Sequence, residues 1–227
     1  MDIRANLKAY LDCGEDHGGR KPDERYTSFD YCFNYFQSFR EAGKVSELAN
    51  PTNLQASCLQ LGFFLASWGM YRGSADLLEK SSRYLVPAIG IVARTEDSFW
   101  GIDAHCYTNS NIENICVLAG SFIQVYPRMS DILLTKIMLG VFGTVPAFDT
   151  NFKRGCRAEG ITATFGPNAL SRLGRFYLEN AALIDEYRVP TLDFLTGEPT
   201  QRTYTRAKVI DMTFFMEGSI PASRSLG

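Results

Sequence analysis

The sequence predicts an all-α protein, and two observations carry that prediction. Apolar residues recur three or four positions apart, which is helical spacing, in most segments of the chain. Alternation of apolar and polar residues between turn signals, which is typical of strands, is nearly absent, and the only extended piece is expected at 189–194. Because 45% of the 227 residues are hydrophobic, the chain is able to bury a sizeable core.

The individual helices are predicted from caps, periodicity and helix breakers. Pro51 suits the first turn of a helix, whereas Pro87 and Pro127 are each expected to end one. Residues 14–25 are polar and rich in glycine, so they are expected to form a loop. The predicted helices cover 2–12, 28–42, 51–68, 74–86, 110–125, 130–142, a segment opening near Asp149, 168–182 and 203–216.

Composition limits the classes of function. No apolar stretch reaches the roughly 18 residues of a membrane span, and the first residues lack the order of a signal peptide. We therefore expect a cytoplasmic monomer without membrane contact. The six cysteines are scattered and the two histidines isolated, which favours buried free thiols, no metal site and no cofactor. The net charge is −2, so nucleic-acid binding requires a local basic patch.

The segment from Leu134 to Arg154 is the most informative one. It has the pattern of an apolar helix, a tight connection through Gly143 and Pro146, and a second helix whose first turn holds Asp149. Exposed amides and the positive end of the helix dipole are expected to lower the pKa of this carboxylate. An ionised carboxylate suits the stabilisation of a developing positive charge. The alternative is that Asp149 serves only as a helix cap.

Two motifs in this region resemble helix-hairpin-helix DNA glycosylases, such as endonuclease III and the adenine and methyl-base glycosylases. The first, Phe-Gly, a few residues, Pro, then apolar-Asp-Thr-Asn-Phe-x-Arg, resembles their catalytic segment, with Asn151 in place of the usual histidine. The second, Leu-Ala-Ser-Trp-Gly-Met-Tyr-Arg at 65–72, resembles the family's Leu-Ser-x-Gln-Thr segment. The resemblance implies one two-lobed helical domain over 1–227, with a catalytic core at about 50–160 and flanking helices in 1–49 and 161–227.

The resemblance also implies an activity and a set of site residues. Asp149 would be the catalytic carboxylate of an enzyme that flips a modified base out of double-stranded DNA and hydrolyses its N-glycosidic bond. The substrate-binding candidates are Trp68, Tyr71, Tyr31 and Asn151. Trp100 is a further aromatic candidate. For all the aromatic candidates, the alternative is that the ring simply packs in the hydrophobic core.

Contacts to the DNA backbone are expected from basic and polar residues near Asp149, for which a solvated charged face is the alternative. These candidates are Lys153, Arg154, Arg128, Ser130 and Arg72. A second basic cluster is a weaker candidate for extending this DNA-contacting surface. It consists of Arg202, Arg206 and Lys208.

The chain also departs from the family's pattern. The family's hairpin has a Gly-x-Gly turn, whereas 125–130 contains no glycine, so phosphate binding there falls to Arg128, Ser130 and the helix N-terminus. The iron-sulfur cysteines of some members are missing. The lysine that forms a Schiff base in bifunctional members is also missing, since Lys136 lies about one helical turn too late. We therefore expect a monofunctional enzyme without lyase activity.

The target base and two other functions remain open at this stage. The chain also resembles bacterial anti-phage glycosylases that remove glucosylated hydroxymethylcytosine from viral DNA, although no residue is assigned to a glucose site. One alternative is a catalytically inactive module that binds DNA or protein. The other is an unrelated helical defence or regulatory protein in which the Asp-Thr-Asn match is coincidental, an interpretation that the acidic pI of about 5.8 favours.

Overall fold

A computed structural model describes residues 1–12, 20–73 and 75–219 of the chain. Helices account for 68% of the structure and strands for 4%, so the all-α prediction is confirmed. The α-helices of the described part are α1 (Ile3–Leu11), α2 (Ser28–Glu41), α3 (Pro51–Ser67), α4 (Val86–Ala93), α5 (Asp97–Trp100), α6 (Asn109–Val125), α7 (Asp131–Phe142), α8 (Thr150–Ala158), α9 (Pro167–Glu186) and α10 (Arg206–Ser219). Short 3₁₀ turns are at Arg25–Thr27, Val45–Ala49, Asp76–Glu79, Ser82–Leu85 and Ala104–Cys106.

The helix prediction is wrong for residues 74–86. Two 3₁₀ turns, Asp76–Glu79 and Ser82–Leu85, occupy this part, and α4 begins only at Val86. Pro87 lies in the first turn of α4, where a backbone N–H has no helical partner and its loss costs little. Pro87 therefore begins a helix instead of ending one.

A short antiparallel hairpin follows α9. Its first strand, β1 (Pro190–Leu192), lies inside the extended piece expected at 189–194, whereas the second, β2 (Pro199–Thr203), had no sequence signal. Residues of β2 alternate between exposed and half-buried positions, and none of them is fully buried. Without an apolar face, its sequence Pro-Thr-Gln-Arg-Thr is not recognisable as a strand.

Helix α7 runs through the core, and every residue from Leu133 to Phe142 is buried. The Ser130 hydroxyl caps its start by accepting a hydrogen bond from the Leu133 amide at 3.2 Å. Gly143 ends the helix in the left-handed conformation, with φ 68°, which favours glycine. These ends fix the direction in which the chain enters the connection to α8.

Helix α10 packs tightly against α8, although it lies outside the core expected at about 50–160. A Cβ atom on Gly155 would collide with the Phe214 carbonyl, and one on Gly218 would collide with the Asn151 carbonyl. Two glycines therefore allow the two helix backbones to approach closely. The C-terminal helix thus supports the start of α8.

The cysteines agree with the expectation of free thiols. Cys32, Cys58 and Cys156 are buried, and Cys106 and Cys116 are half-buried. Cys13 and His17 lie outside the described residues, as does the first half of the loop expected at 14–25. Across the described ranges there is no group of three or more potential metal ligands, and no helix is long and apolar enough to cross a membrane.

Candidate active site

A cavity of about 560 Å³ lies where the loop after α3 meets the starts of α7 and α8. Among its described lining residues, three carry a positive charge and one carries a negative charge, so the local charge is opposite in sign to that of the chain. The charged lining residues are Arg25, Arg72, Lys136 and Asp149. The other side chains in the lining include Trp68, Met70, Ser130, Ile132, Thr150, Asn151 and Phe215.

Asp149 is the N-cap residue of α8 and also lines this cavity. Its Oδ1 atom accepts a hydrogen bond from the Phe152 amide at 3.0 Å, which is the geometry of a cap. The side chain keeps 16% of its surface exposed, so the same carboxylate remains accessible from the cavity. The capping role and a functional role are therefore compatible.

The connection that precedes Asp149 is held from two sides. The Phe148 amide donates to the Thr135 hydroxyl of α7 at 2.9 Å. The Ala147 amide donates to Oδ1 of Asp211 in α10, also at 2.9 Å. Both bonds are buried and therefore fix the position of the carboxylate relative to α7 and α10.

Lys136 of α7 reaches the same cavity. Its Nζ atom donates to the Trp68 carbonyl at 2.7 Å and lies 3.9 Å from Oδ2 of Asp149. Lys136 was not expected at the Schiff-base position of bifunctional members, yet its side chain lies in the cavity beside Asp149. Residues four apart share one helix face, so Lys136 lines the cavity together with Ile132.

Burial dominates the ionisation of this pair. It raises the pKa of Asp149, against the opposing effects of Lys136 and the Phe152 amide. It lowers the pKa of Lys136, against the opposing charge of Asp149. The prediction of a lowered pKa for Asp149 is wrong, because the loss of hydration on burial outweighs the effects of Lys136 and of the amides at the helix terminus.

A second lysine–aspartate pair lies close to the first. Nζ of Lys208 is 2.8 Å from Oδ2 of Asp211 and 3.3 Å from the Tyr10 hydroxyl, and all three groups are buried. The charge of Asp211 raises the pKa of both Lys136 and Asp149. The two lysines and the two aspartates thus form one buried electrostatic network.

Trp68 forms an aromatic wall of the cavity. Its ring stacks on Tyr26 with centroids 5.2 Å apart, and Tyr26 stacks on Tyr10 at 4.8 Å. Phe215 meets Trp68 edge-on at 6.2 Å, and the Arg25 guanidinium lies 5.4 Å from the Trp68 centroid. This packing holds the indole in a fixed orientation.

The structure brings several of the residues expected at the site together in this cavity. Asp149, Asn151, Trp68, Arg72 and Ser130 all line it, although they come from three separate segments of the chain. The motif at 65–72 and the motif around Asp149 thus meet in space.

Three aromatic candidates lie elsewhere. Tyr31 packs edge-on against Phe194, with centroids 5.0 Å apart, and its hydroxyl is bonded to a backbone carbonyl. Trp100 is buried against Phe142 at 4.5 Å. Tyr71 is half-buried beside α3 and is not part of the cavity lining. Their environments match the alternative of ordinary packing.

The basic candidates around Asp149 have different environments. Nζ of Lys153 lies 3.7 Å from Oδ2 of Asp131, and the Lys153 side chain is 22% exposed. Arg154 is exposed on the same helix. Arg128 is exposed and lines a neighbouring groove instead of the cavity.

The second basic cluster does not form an accessible track. Lys208 is only 1% exposed, so the inference that it contacts DNA is wrong. Arg202 is paired with Glu41 at 2.6 Å, and Arg206 is paired with Asp185 at 2.9 Å. These pairs neutralise positive charge that a phosphate would otherwise meet.

Sequence reasoning missed Arg25 and Phe215 as cavity residues. Both lie outside the segment at 50–160 that carries the resemblance. Arg25 belongs to a short 3₁₀ turn, and Phe215 belongs to a helix whose contacts depend on the close approach at Gly155 and Gly218. Neither position carries a local signal of its place beside Asp149.

The site combines a partly exposed carboxylate, an adjacent ammonium group, a flat aromatic wall and basic residues in its lining. Such a set is able to bind a planar polar ligand with a negatively charged attachment and to stabilise positive charge beside Asp149. In comparisons with protein-family models, curated proteins and solved structures, nothing matches this chain.

Proposed function

We propose that this protein is a DNA glycosylase that hydrolyses the N-glycosidic bond of a modified base in double-stranded DNA. The observation that carries the proposal is the position of Asp149, a carboxylate on the lining of an open cavity beside Lys136 and Trp68. The order of elements before it, α6, the loop 126–130 and α7, agrees with a helix-hairpin-helix enzyme.

The cavity offers the contacts that a base rotated out of the duplex would need. Unstacking a base costs a few kcal/mol, which stacking and hydrogen bonds inside the pocket offset. Trp68 supplies an aromatic group to the lining, and Asn151, Ser130 and Thr150 offer polar groups. Arg25 and Arg72 supply positive charge for the adjoining phosphates.

Asp149 would act on the sugar. Cleavage of the glycosidic bond builds positive charge on the sugar ring, and an ionised carboxylate held in place stabilises that charge or orients the attacking water. The hydrogen bonds that the Ala147 and Phe148 amides donate to Asp211 and Thr135 hold the carboxylate in position before the reaction. Lys136 favours the ionised form of Asp149.

We propose that water is the nucleophile and that the enzyme lacks lyase activity. Nζ of Lys136 is engaged by the Trp68 carbonyl and by Asp149, which suits the role of a counter-ion. The product would be an intact abasic site in an unbroken strand.

The substrate we propose is a base enlarged by a polar group, such as glucosylated hydroxymethylcytosine in phage DNA. A volume of about 560 Å³ lies in the range of about 300–1,000 Å³ that is typical of small-molecule pockets, so the cavity has room for such a base. This substrate would give the protein a role in antiviral defence.

The experiment that tests this function is a substrate screen. Duplexes that each carry one modified base, including glucosylated hydroxymethylcytosine, are incubated with the purified protein, and abasic sites are detected chemically. We expect abasic sites on at least one duplex with the wild type and far fewer in the same time with Asp149→Asn. Equal yields from the two proteins would contradict the proposal.

A further inference from the structure

A second groove, of about 530 Å³, lies beside the candidate active site. It is formed by the 3₁₀ turn Ser82–Leu85 and the loop that follows α6. Its basic lining residues are Lys80, Arg83 and Arg128, and the others are Tyr84, Pro87, Val125, Tyr126 and Pro127. No carboxylate is among these described lining residues.

The three basic side chains of the groove remain available to a ligand. Lys80, Arg83 and Arg128 are exposed, and no described carboxylate lies within ion-pair distance of any of them. Lys80 is oriented by the Tyr84 ring, whose centroid lies 5.6 Å from Nζ. By contrast, positive charge in the second basic cluster is neutralised by carboxylates, as the ion pair between Arg202 and Glu41 shows.

The groove and the active-site cavity are lined by neighbouring residues of the same two stretches of chain. The segment 72–84 lines the cavity through Arg72 and the groove through its later residues. The loop 126–130 lines the groove through Arg128 and the cavity through Ser130, and their Cα atoms are at most about 7.6 Å apart. A strand that enters the cavity therefore passes close to the groove.

The nearby start of α7 is a poorer place for a phosphate. The Ser130 hydroxyl already accepts the Leu133 amide, and Asp131 puts a negative charge in the first turn. This carboxylate repels an anion at the helix terminus. The groove has no such opposing charge among its described lining residues.

We propose that Lys80, Arg83 and Arg128 form a binding site for backbone phosphates of duplex DNA next to the base held in the cavity. The proposal rests on the proposed glycosylase function. It assigns the phosphate-binding role to a groove partly built from residues 80–84, in place of backbone amides at the hairpin. Three exposed cations in one groove suit the negative charge of backbone phosphates.

The test compares two triple variants in which the same amount of charge is removed. The first is Lys80→Gln with Arg83→Gln and Arg128→Gln. The control is Arg94→Gln with Arg172→Gln and Arg175→Gln, whose side chains line neither cavity nor groove. Affinity for a fluorescent unmodified duplex is measured over a salt series, and circular dichroism verifies folding.

We expect the groove variant to bind DNA about tenfold or more weakly at low salt than the control variant. Its slope of log affinity against log salt should fall by about 0.9 for each phosphate that the protein no longer neutralises, or about 2.7 for three. An affinity and a slope equal to those of the control, or a wild type that binds no DNA, would overturn the proposal.

Base excision separates this inference from the proposed function. Excision of a modified duplex by the wild type, with protein in excess, is measured beside DNA binding by the two triple variants. If the wild type excises no base yet the groove variant binds DNA more weakly than the control, the glycosylase function fails and the phosphate site stands. If excision is normal and binding equals the control, the phosphate site fails and the function stands.

Discussion

The ammonium nitrogen of Lys136 lies 3.9 Å from the carboxylate of Asp149, and the two side chains are 6% and 16% exposed. The two groups come from α7 and the cap of α8, so the short connection between these helices determines their separation. Each group opposes the effect of burial on the pKa of the other. The reactivity of Asp149 is therefore expected to depend on Lys136.

Replacing Lys136 by methionine should change the pH dependence of excision. Because the Lys136 charge lowers the pKa of Asp149 against the larger effect of burial, its removal raises that pKa further. The acid limb of the single-turnover rate should then move to higher pH. Lys136→Arg keeps the charge and serves as the control. An acid limb at the same pH in the methionine variant and the wild type would show that Lys136 does not tune Asp149.

The proposal that the enzyme lacks lyase activity is testable by borohydride trapping. Because we propose water as the nucleophile, borohydride should trap no covalent adduct of protein and DNA, and the product strand should stay intact until it is treated with alkali. An adduct formed by the wild type but not by Lys136→Ala would contradict this and identify Lys136 as a Schiff-base residue.

The buried pair of Lys208 and Asp211 should matter for folding. Lys208→Met leaves the Asp211 carboxylate buried without its ammonium partner, and such a change typically destabilises by about 3–5 kcal/mol. Adding Asp211→Asn removes the stranded charge, and the amide oxygen still accepts the Ala147 amide. Chemical denaturation should therefore show that the double variant is more stable than Lys208→Met. A double variant as unstable as the single one would contradict a charge effect.

Lys153 and Arg154 should contribute positive charge to DNA binding. Replacing both by glutamine should weaken the binding of all duplexes alike and lower the salt slope by about 0.9 for each phosphate left without its cation. The effect of Lys153 should be the smaller one, since Asp131 already neutralises part of its charge at 3.7 Å. The single variants, titrated over the same salt series, test this order. Unchanged salt slopes in both single variants would restrict the DNA-contacting surface to the cavity and the groove.

Local signals in the sequence were enough for most of the helices, although not for residues 74–86 and α4, and for part of the site. The cap at Ser130 and the glycine at Gly143 predicted α7 well, because both act through bonds within a few residues. Motifs alone predicted that Trp68 and Asn151 lie near Asp149, and all three line the same cavity.

What the sequence could not supply were distances between segments that lie far apart along the chain. The desolvation that reverses the expected pKa shift of Asp149 depends on surrounding residues, including those of α10, which is held against α8 by Gly155 and Gly218. Burial of Lys208 likewise depends on Asp211 and Tyr10. From the sequence alone, the charge of Lys208 suggested that its side chain lies at the surface.

The single-turnover rate of base excision by Asp149→Asn tests the central claim most directly. Asparagine has nearly the same size and caps a helix about as well as aspartate, so the fold should survive while the negative charge is removed. We expect excision to fall about 100-fold or more with DNA binding retained, as for the removal of one preorganised electrostatic group. A variant shown by circular dichroism to be folded that still excises the base at the wild-type rate would contradict the assignment of Asp149 as the catalytic carboxylate.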